Sequence, residues 1–175
     1  MSDVLNKMKS RRSIRKFKPD MVPQEILDQI IEAGLYAASG MGQQSPIIIQ
    51  VTKKELRDEI SKMNCEIGGG KEGFAPFYGA PAMLIVLAKK ERPTYVYDGS
   101  LVMGNLMLAA HELGIGSCWI HRAKEEFESD WGRNLLRSLG VNGDYEGIGH
   151  CALGYADGDY PAAPARNEGR IFYVK

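Results

Sequence analysis

Arg11-Arg12-Ser13-Ile14-Arg15-Lys16-Phe17 is the stretch from which the rest of the chain is read. Between Lys7 and Lys18 lie seven basic residues and no acidic one, in a chain whose 22 Lys+Arg and 22 Asp+Glu otherwise cancel. Arginine presents a planar fork of donors that matches two oxygens of one anion, and Ser13 adds a hydroxyl beside it. Ile14 and Phe17 interrupt the charges; they anchor the segment to a core and so fix where the arginines point. On the residues alone two readings stay open, a phosphate or carboxylate site and a solvated charged face. A local cluster on a neutral protein suits one small anion. Nucleic acid, which needs many phosphate contacts, is not an expected partner.

Outward from this segment, the 175 residues are 44% hydrophobic and 25% charged, as expected of a single globular domain spanning 1–175. No apolar run approaches the ~20 residues of a membrane span. Met1–Ser10 lacks the apolar core of a signal peptide, so the expected location is cytoplasmic. Cys65, Cys118 and Cys151 are widely spaced and form no C-x-x-C, so no disulfide framework is indicated. His111, His121 and His150 together with Cys118 and Cys151 raise a metal site, and hence a small metalloprotein, as an alternative. Structural zinc wants tight ligand pairs on turns. Here both cysteines fall in apolar strands, and the neighbours His150 and Cys151 point to opposite faces, so no metal is expected.

The periodicities give the elements. Ser2 caps a short helix bearing Val4, Leu5 and Met8. Pro23 opens a second at its first position, with Ile26, Leu27, Ile30, Ile31 and Leu35 in a stripe to about Ala38. Thr52-Lys53-Lys54-Glu55 reads as a capping box before a helix with Leu56, Ile60 and Met63 inward. A long helix covers Tyr97–Leu113, closed by Gly114. Gly99 and Gly104 inside it each cost up to ~1 kcal/mol relative to alanine, which points to tight packing there. One further helix runs through Phe127, Trp131, Leu135 and Leu139. Strands are expected at Ile47–Val51, Ala82–Ala88, Ser117–Ile120 and Ile148–Leu153. The tail from Gly154 is polar and proline-rich, yet its end, Ile171-Phe172-Tyr173-Val174, is strand-like and needs cover. The fold class is α+β with a mixed sheet. No G-x-S-x-G elbow, P-loop, G-x-G-x-x-G or obvious acid/base pair is present, which is compatible with chemistry carried by a bound cofactor.

Four segments in order resemble the FMN-dependent nitroreductase family. Arg11–Phe17 resembles its R-R-S-x-R-x-F opening. Ala38-Ser39-Gly40-Met41-Gly42-Gln43-Gln44-Ser45-Pro46 is similar to its A-P-S-x-x-N-x-Q-P-W loop. Gly114-Ile115-Gly116-Ser117-Cys118-Trp119-Ile120 matches G-[IL]-G-[ST]-C-W-I, and Gly154-Tyr155 with Pro164 and Arg166 resembles the closing segment. The resemblance implies a three-layer α/β/α sandwich with a mixed, mainly antiparallel sheet. It also implies an intertwined homodimer with FMN at two shared sites, residues 155–175 crossing to the partner. By motif position, Arg11, Arg12, Ser13 and Arg15 would meet the FMN phosphate and pyrimidine side. Gln44 would hold the ribityl and ring edge, while Ser39, Gly40 and Met41 line the cavity from the other subunit. Backbone N–H groups at Ile120, His121 and Arg122 would approach N5 and O4, and Arg166 would reach the phosphate. The implied activity is ping-pong: NADH or NADPH gives a hydride to FMN N5, then a nitroaromatic, quinone or related small-molecule acceptor is reduced. No side chain acts as nucleophile; His121 is the one candidate proton donor. The chain departs from the family at Gly42 (for Asn), at Ser45-Pro46 (for Pro-Trp) and at His121 (for Gly). It is also short, with Gly68–Gly73 and its Lys71 standing in for a lid. The altered loop motivates the alternative of an FMN-binding storage or sensor protein with little turnover.

Overall fold

The unbroken apolar run Ala82–Ala88 dictates the layering, because a strand with no polar face must be covered on both sides. The computed structural model describes residues 3–71, 73–91 and 93–175. In chain order its elements are α1 (Asp3–Ser10), α2 (Gln24–Leu35), β1 (Pro46–Val51), α3 (Lys54–Ile67), β2 (Ala82–Lys89) and α4 (Tyr95–Glu112). They continue with β3 (Gly116–Ile120), α5 (Ala123–Glu128), α6 (Asp130–Ser138) and β4 (Tyr145–Gly154). The strands form one sheet in the order β1-β2-β4-β3, with β2 and β4 central. On one face Met83, Ile85 and Leu87 pack with Ile60, Phe127 and Leu136 of α3, α5 and α6. On the other, Leu84 and Val86 meet Leu27 and Ile30 of α2 and Val102, Met103, Leu106 and Ala110 of α4. This is the expected three-layer sandwich.

All three strand pairs are antiparallel. The parallel component among the described residues is one isolated bridge, Ser13 to Ser117. Between β2 and β4 the register slips: Val86 faces Gly149 and Leu87 faces Gly147, leaving Ile148 as the extra residue of a bulge. Ile148 packs on α4 where Gly99 leaves room; a Cβ on Gly99 would lie 2.5 Å from Ile148 Cγ1. The tight packing expected at Gly99 is therefore internal. Gly104 has nothing within 4 Å and faces outward.

Several local expectations are corrected. The Thr52 capping box does not form: Lys53 is the N-cap of α3 without a side-chain cap bond, and the Thr52 carbonyl accepts from Arg57 Nε at 3.2 Å. Pro23 is the N-cap of α2 rather than its first helical residue, and α2 stops at Leu35 instead of Ala38. The single helix through Phe127 and Trp131 is two, broken at Ser129, whose hydroxyl accepts from the Gly132 N–H. β4 starts at Tyr145, three residues before the apolar run. The cap assigned to Ser2 lies outside the described residues, as does Glu72 of the glycine-rich loop. The end of the tail is neither a strand nor covered within one chain: Phe172 is 87% exposed.

Candidate functional site

Ile14 and Phe17 do what their spacing demands. Both are buried, and between them the backbone is stitched to β3 and the start of the tail. The Ile14 N–H donates to the Ser117 carbonyl at 2.9 Å, and the Lys18 N–H to the Tyr155 carbonyl at 2.9 Å. Gly116 admits this approach, since a Cβ there would stand 3.0 Å from Ile14 Cγ1. Arg15 is consequently exposed and Arg11, Arg12 and Ser13 are half-buried along the sheet edge. The arginines are not equivalent. Arg12 Nη1 donates to the Lys9 carbonyl at 2.8 Å and to the Arg11 carbonyl at 2.6 Å, tying off the C-terminal end of α1. Arg11 Nη1, Arg12 Nε and Ser117 Oγ are buried without a partner among the described residues. Burial pushes the Cys118 thiol up, opposed by the Arg15 charge, the Ser13 hydroxyl and the Arg11 charge. Burial and then neighbouring Cys118 push Cys151 up to about 12, again against Arg11. The positive charges of Arg11 and Arg15, with the Ser13 hydroxyl, thus bear on Cys118 of β3.

Ser39, Gly40, Met41 and Gln44 form a separate structure. Gly40–Gly42 is one 3-10 turn; Met41 (φ 54°) and Gln44 (φ 49°) sit in the left-handed region that non-glycine residues avoid. Asp98, buried near the start of α4, holds the turn: its Oδ1 accepts from the Gly40 N–H at 2.9 Å and its Oδ2 from Thr94 Oγ1 at 3.0 Å. Ser39 Oγ accepts from the Gln44 N–H at 2.9 Å. The outcome is a strained, held loop whose tip, Met41, is 90% exposed. At the other end of α4, His111 Nε2 lies 2.8 Å from Ser10 Oγ, next to Arg11. Asp98 and His111 are therefore roughly 20 Å apart at 1.5 Å per helical residue. The loop also feeds β1, at the sheet edge opposite β3. One chain does not bring Ser39–Gln44 to Arg11–Arg15. Nor does it bring Arg166, whose exposed guanidinium turns back on the Pro164 carbonyl.

The third group, Ile120, His121 and Arg122, lies where β3 passes into α5. Ile120 is the last paired residue, opposite His150. His121 is exposed, its ring 6.1 Å from that of Trp119. Arg122 is left-handed (φ 82°), caps α5 and bonds Glu125 Oε1 at 3.0 Å. Beneath the turn, Asn64 Nδ2 donates to the His121 carbonyl and to Glu126, and Glu126 faces His150. His150 and Cys151 do point to opposite faces, His150 to Phe77 and Cys151 to the α2–α4 side. Among the described residues no three His, Cys, Asp or Glu side chains are grouped to hold a metal.

The nitroreductase family model matches residues 8–67 and 70–155. The chain belongs to the nitroreductase family. A solved nitroreductase from Bacteroides fragilis NCTC 9343, with bound FMN, superposes with a TM-score of 0.90 at 29% identity over 100% of both chains. A second, from Desulfitobacterium hafniense DCB-2 and also with bound FMN, gives 0.88 at 28% over 100% of both. The FMN reductase [NAD(P)H] of Bacillus subtilis strain 168 is 29% identical over 139 residues, 67% of this chain and 53% of its own length. A relative from Methanothermobacter thermautotrophicus, provisionally named an NADH dehydrogenase or NAD(P)H nitroreductase, is 32% identical over 121 residues. The chain spans only 60% of that relative and about half of the Bacillus one.

Within the nitroreductase fold the Bacteroides structure is matched along its whole length. The residues that sequence reasoning missed around its site are Asp98, Asn64 and Glu126. Asp98 and Asn64 are single polar residues on the buried faces of α4 and α3, Glu126 is one of three glutamates in α5, and no motif marks them. Among the described residues no helix is long and apolar enough to cross a membrane.

Proposed function

We propose that this nitroreductase-family chain is an FMN-dependent oxidoreductase that takes electrons from NADH or NADPH and reduces a nitroaromatic, quinone or related small-molecule acceptor. The observation that carries this reading is the surplus of unpaired donors at the sheet edge. Among the described residues Arg11 Nη1, Arg12 Nε and Ser117 Oγ are buried without partners beside Ser13 and Arg15. An unsatisfied buried donor costs about 1–3 kcal/mol, so an acceptor-rich anion is the natural complement. The residues thus fit a phosphate, as the FMN-bound neighbours of equal length would lead one to expect.

In this reading Arg11, Ser13 and Arg15 hold the phosphate and pyrimidine side, and Arg12 contributes Nε while its Nη1 stays on α1. The backbone of Ile120, His121 and Arg122 faces the ring edge. Ser39, Gly40, Met41 and Gln44 come from a second copy, since within one chain they are anchored at the far end of α4. Arg166 and the tail likewise act across a homodimer, where Ile171–Val174 and the outward residues Tyr97, Leu101 and Gly104 of α4 find cover. Bound FMN supplies a two-electron hydride acceptor and donor at N5. His121, exposed at the same turn, is placed to hand a proton to the acceptor. A cytoplasmic location, with NADH and NADPH at hand, goes with this activity.

The test is uptake of FMN by the purified protein, followed by anaerobic mixing with NADH or NADPH. Rapid bleaching of the flavin and turnover with a quinone are expected. A protein that takes up no FMN overturns the reading, whereas one that binds FMN but is not reduced is the storage or sensor protein instead. Leu101→Glu should leave the fold intact but split the dimer in sedimentation experiments.

A further inference from the structure

The apolar layer between the sheet and α3, α5 and α6 contains a chain of polar groups that the functional reading leaves unused. Asn64 on α3 donates through Nδ2 to the His121 carbonyl at 2.6 Å and to Glu126 Oε1 at 2.7 Å. Glu126 Oε2 faces His150 Nε2 at 2.7 Å. Glu126 and His150 are both 0% exposed, and Phe77 stands edge-on to the His150 ring with centroids 5.1 Å apart. A carboxylate and an imidazole buried in such surroundings are poor stabilisers; well-packed apolar residues commonly do as well or better. What apolar residues cannot do is hold a backbone carbonyl. The contacts close a ring: His150 pairs with Ile120, Ile120 leads to His121 and Arg122, the Glu126 N–H donates to the Arg122 carbonyl at 3.0 Å, and Glu126 returns to His150.

The described peptides are all trans, so the C=O and N–H of the peptide joining His121 to Arg122 point in opposite directions. With the His121 oxygen drawn inward by Asn64, the Arg122 N–H is turned outward. Among the described residues it has no acceptor. The left-handed φ of 82° at Arg122 completes the turn that presents it.

We propose that Asn64, with Glu126 and His150 behind it, is a positioning network that aims the Arg122 N–H at the redox edge of the flavin and so sets the flavin's reduction potential. This rests on the FMN reading above. Asn64 is the positioning residue; Glu126 fixes its amide so that the second N–H meets the His121 oxygen, and His150 stands 2.7 Å from the other Glu126 oxygen. A donor held at the edge where charge develops favours the reduced form over the oxidised one.

The first experiment is hydrogen exchange at the Arg122 amide in the wild-type protein. It should be unprotected without FMN and protected with it. Protection in the FMN-free chain would overturn the positioning argument by itself, while failure to take up FMN would sink only the flavin reading. The second is the potential of bound FMN in variants. Asn64→Leu should shift the ratio of reduced to oxidised flavin at least tenfold toward oxidised, about 30 mV for a two-electron couple. Glu126→Gln keeps an oxygen for the Asn64 amide and should shift it less. If Asn64→Leu does not fold, Asn64→Gln, with the donors on a longer arm, should move the potential the same way. A folded Asn64 variant with the wild-type potential would refute the proposal.

Discussion

Gly147→Ala is the substitution on which the packing argument is most exposed. A Cβ at Gly147 would lie 2.2 Å from the Ala123 carbonyl oxygen and 2.3 Å from its carbon. Both are backbone atoms at the start of α5, with no rotamer to escape into. Carbon and oxygen sit comfortably at about 3.3 Å, so α5 must retreat by roughly 1 Å. That helix carries buried Phe127 and Glu126, which are locked into the core beneath it. Overpacking usually costs about 1–3 kcal/mol, and a backbone clash belongs at or above the top of that range. At about 2–4 °C per kcal/mol for a chain of this size, the melting temperature should fall by roughly 6–12 °C. Gly34→Ala is the contrast: its Cβ meets Leu106 Cδ2 at 2.5 Å, the end of a side chain that can turn away. Thermal melts followed by circular dichroism measure both. Gly147→Ala melting within about 2 °C of wild type, or no lower than Gly34→Ala, would refute the reasoning.

Four further outcomes follow from the site. Burial first, then the charges of Lys7 and Arg11, hold His111 below its ordinary 6.5, so as the pH falls the unfolded chain takes up this proton before the folded one. The stability it contributes is full above 6.5 and lost as pH drops through the folded value; melts against pH should show His111→Gln flattening that limb. A thiol reagent should label half-buried Cys65 well before Cys118 and Cys151, whose thiols burial pushes up, and equal rates would contradict the assigned burial. Arg12→Ala should lower stability by about 1 kcal/mol through the loss of its bonds to the Lys9 and Arg11 carbonyls. Arg11→Ala should leave stability unchanged or higher and weaken FMN binding roughly 10- to 100-fold, as titration would show, because its buried Nη1 has no partner among the described residues to lose.

The layered architecture was legible because its strongest signals are long and apolar. Ala82–Ala88 can only be a doubly covered strand, and Ile14 and Phe17 announce a basic segment fastened to something. Legibility failed where two patterns overlap. The Phe127, Trp131, Leu135 stripe keeps its four-residue spacing straight across the Ser129 break, so one helix and two look alike. Thr52-x-x-Glu55 is a short pattern, and the helix beginning two residues later uses the same letters. The start of β4 was hidden by Tyr145-Glu146-Gly147, whose glycine is there for the close approach of Ala123 rather than for a turn. Asn64 and Glu126 are 62 positions apart and meet only because α3 and α5 share a face of the sheet. No window along the chain contains that pairing.

The same limit explains why the segments resembling one site appear as separated parts. α4 runs 18 residues, roughly 27 Å, and acts as a spacer with the Ser39–Gln44 loop fastened to one end and the Arg11 segment near the other. No side-chain movement closes that distance inside one chain. In the homodimer proposed above, two chains related by a two-fold axis, with their α4 helices packed antiparallel along the outward Tyr97, Leu101 and Gly104 face, would close it without any change in either fold. The Asp98 end of each helix then meets the His111 end of its partner, and each loop is delivered to the other chain's arginines. The arrangement produces two equivalent sites or none. In such a dimer Gly104, which no internal contact requires, becomes the point where the two helices can approach most closely. In that proposed dimer the basic segment would be half of a site whose other half is specified about 30 residues downstream and supplied by the second copy.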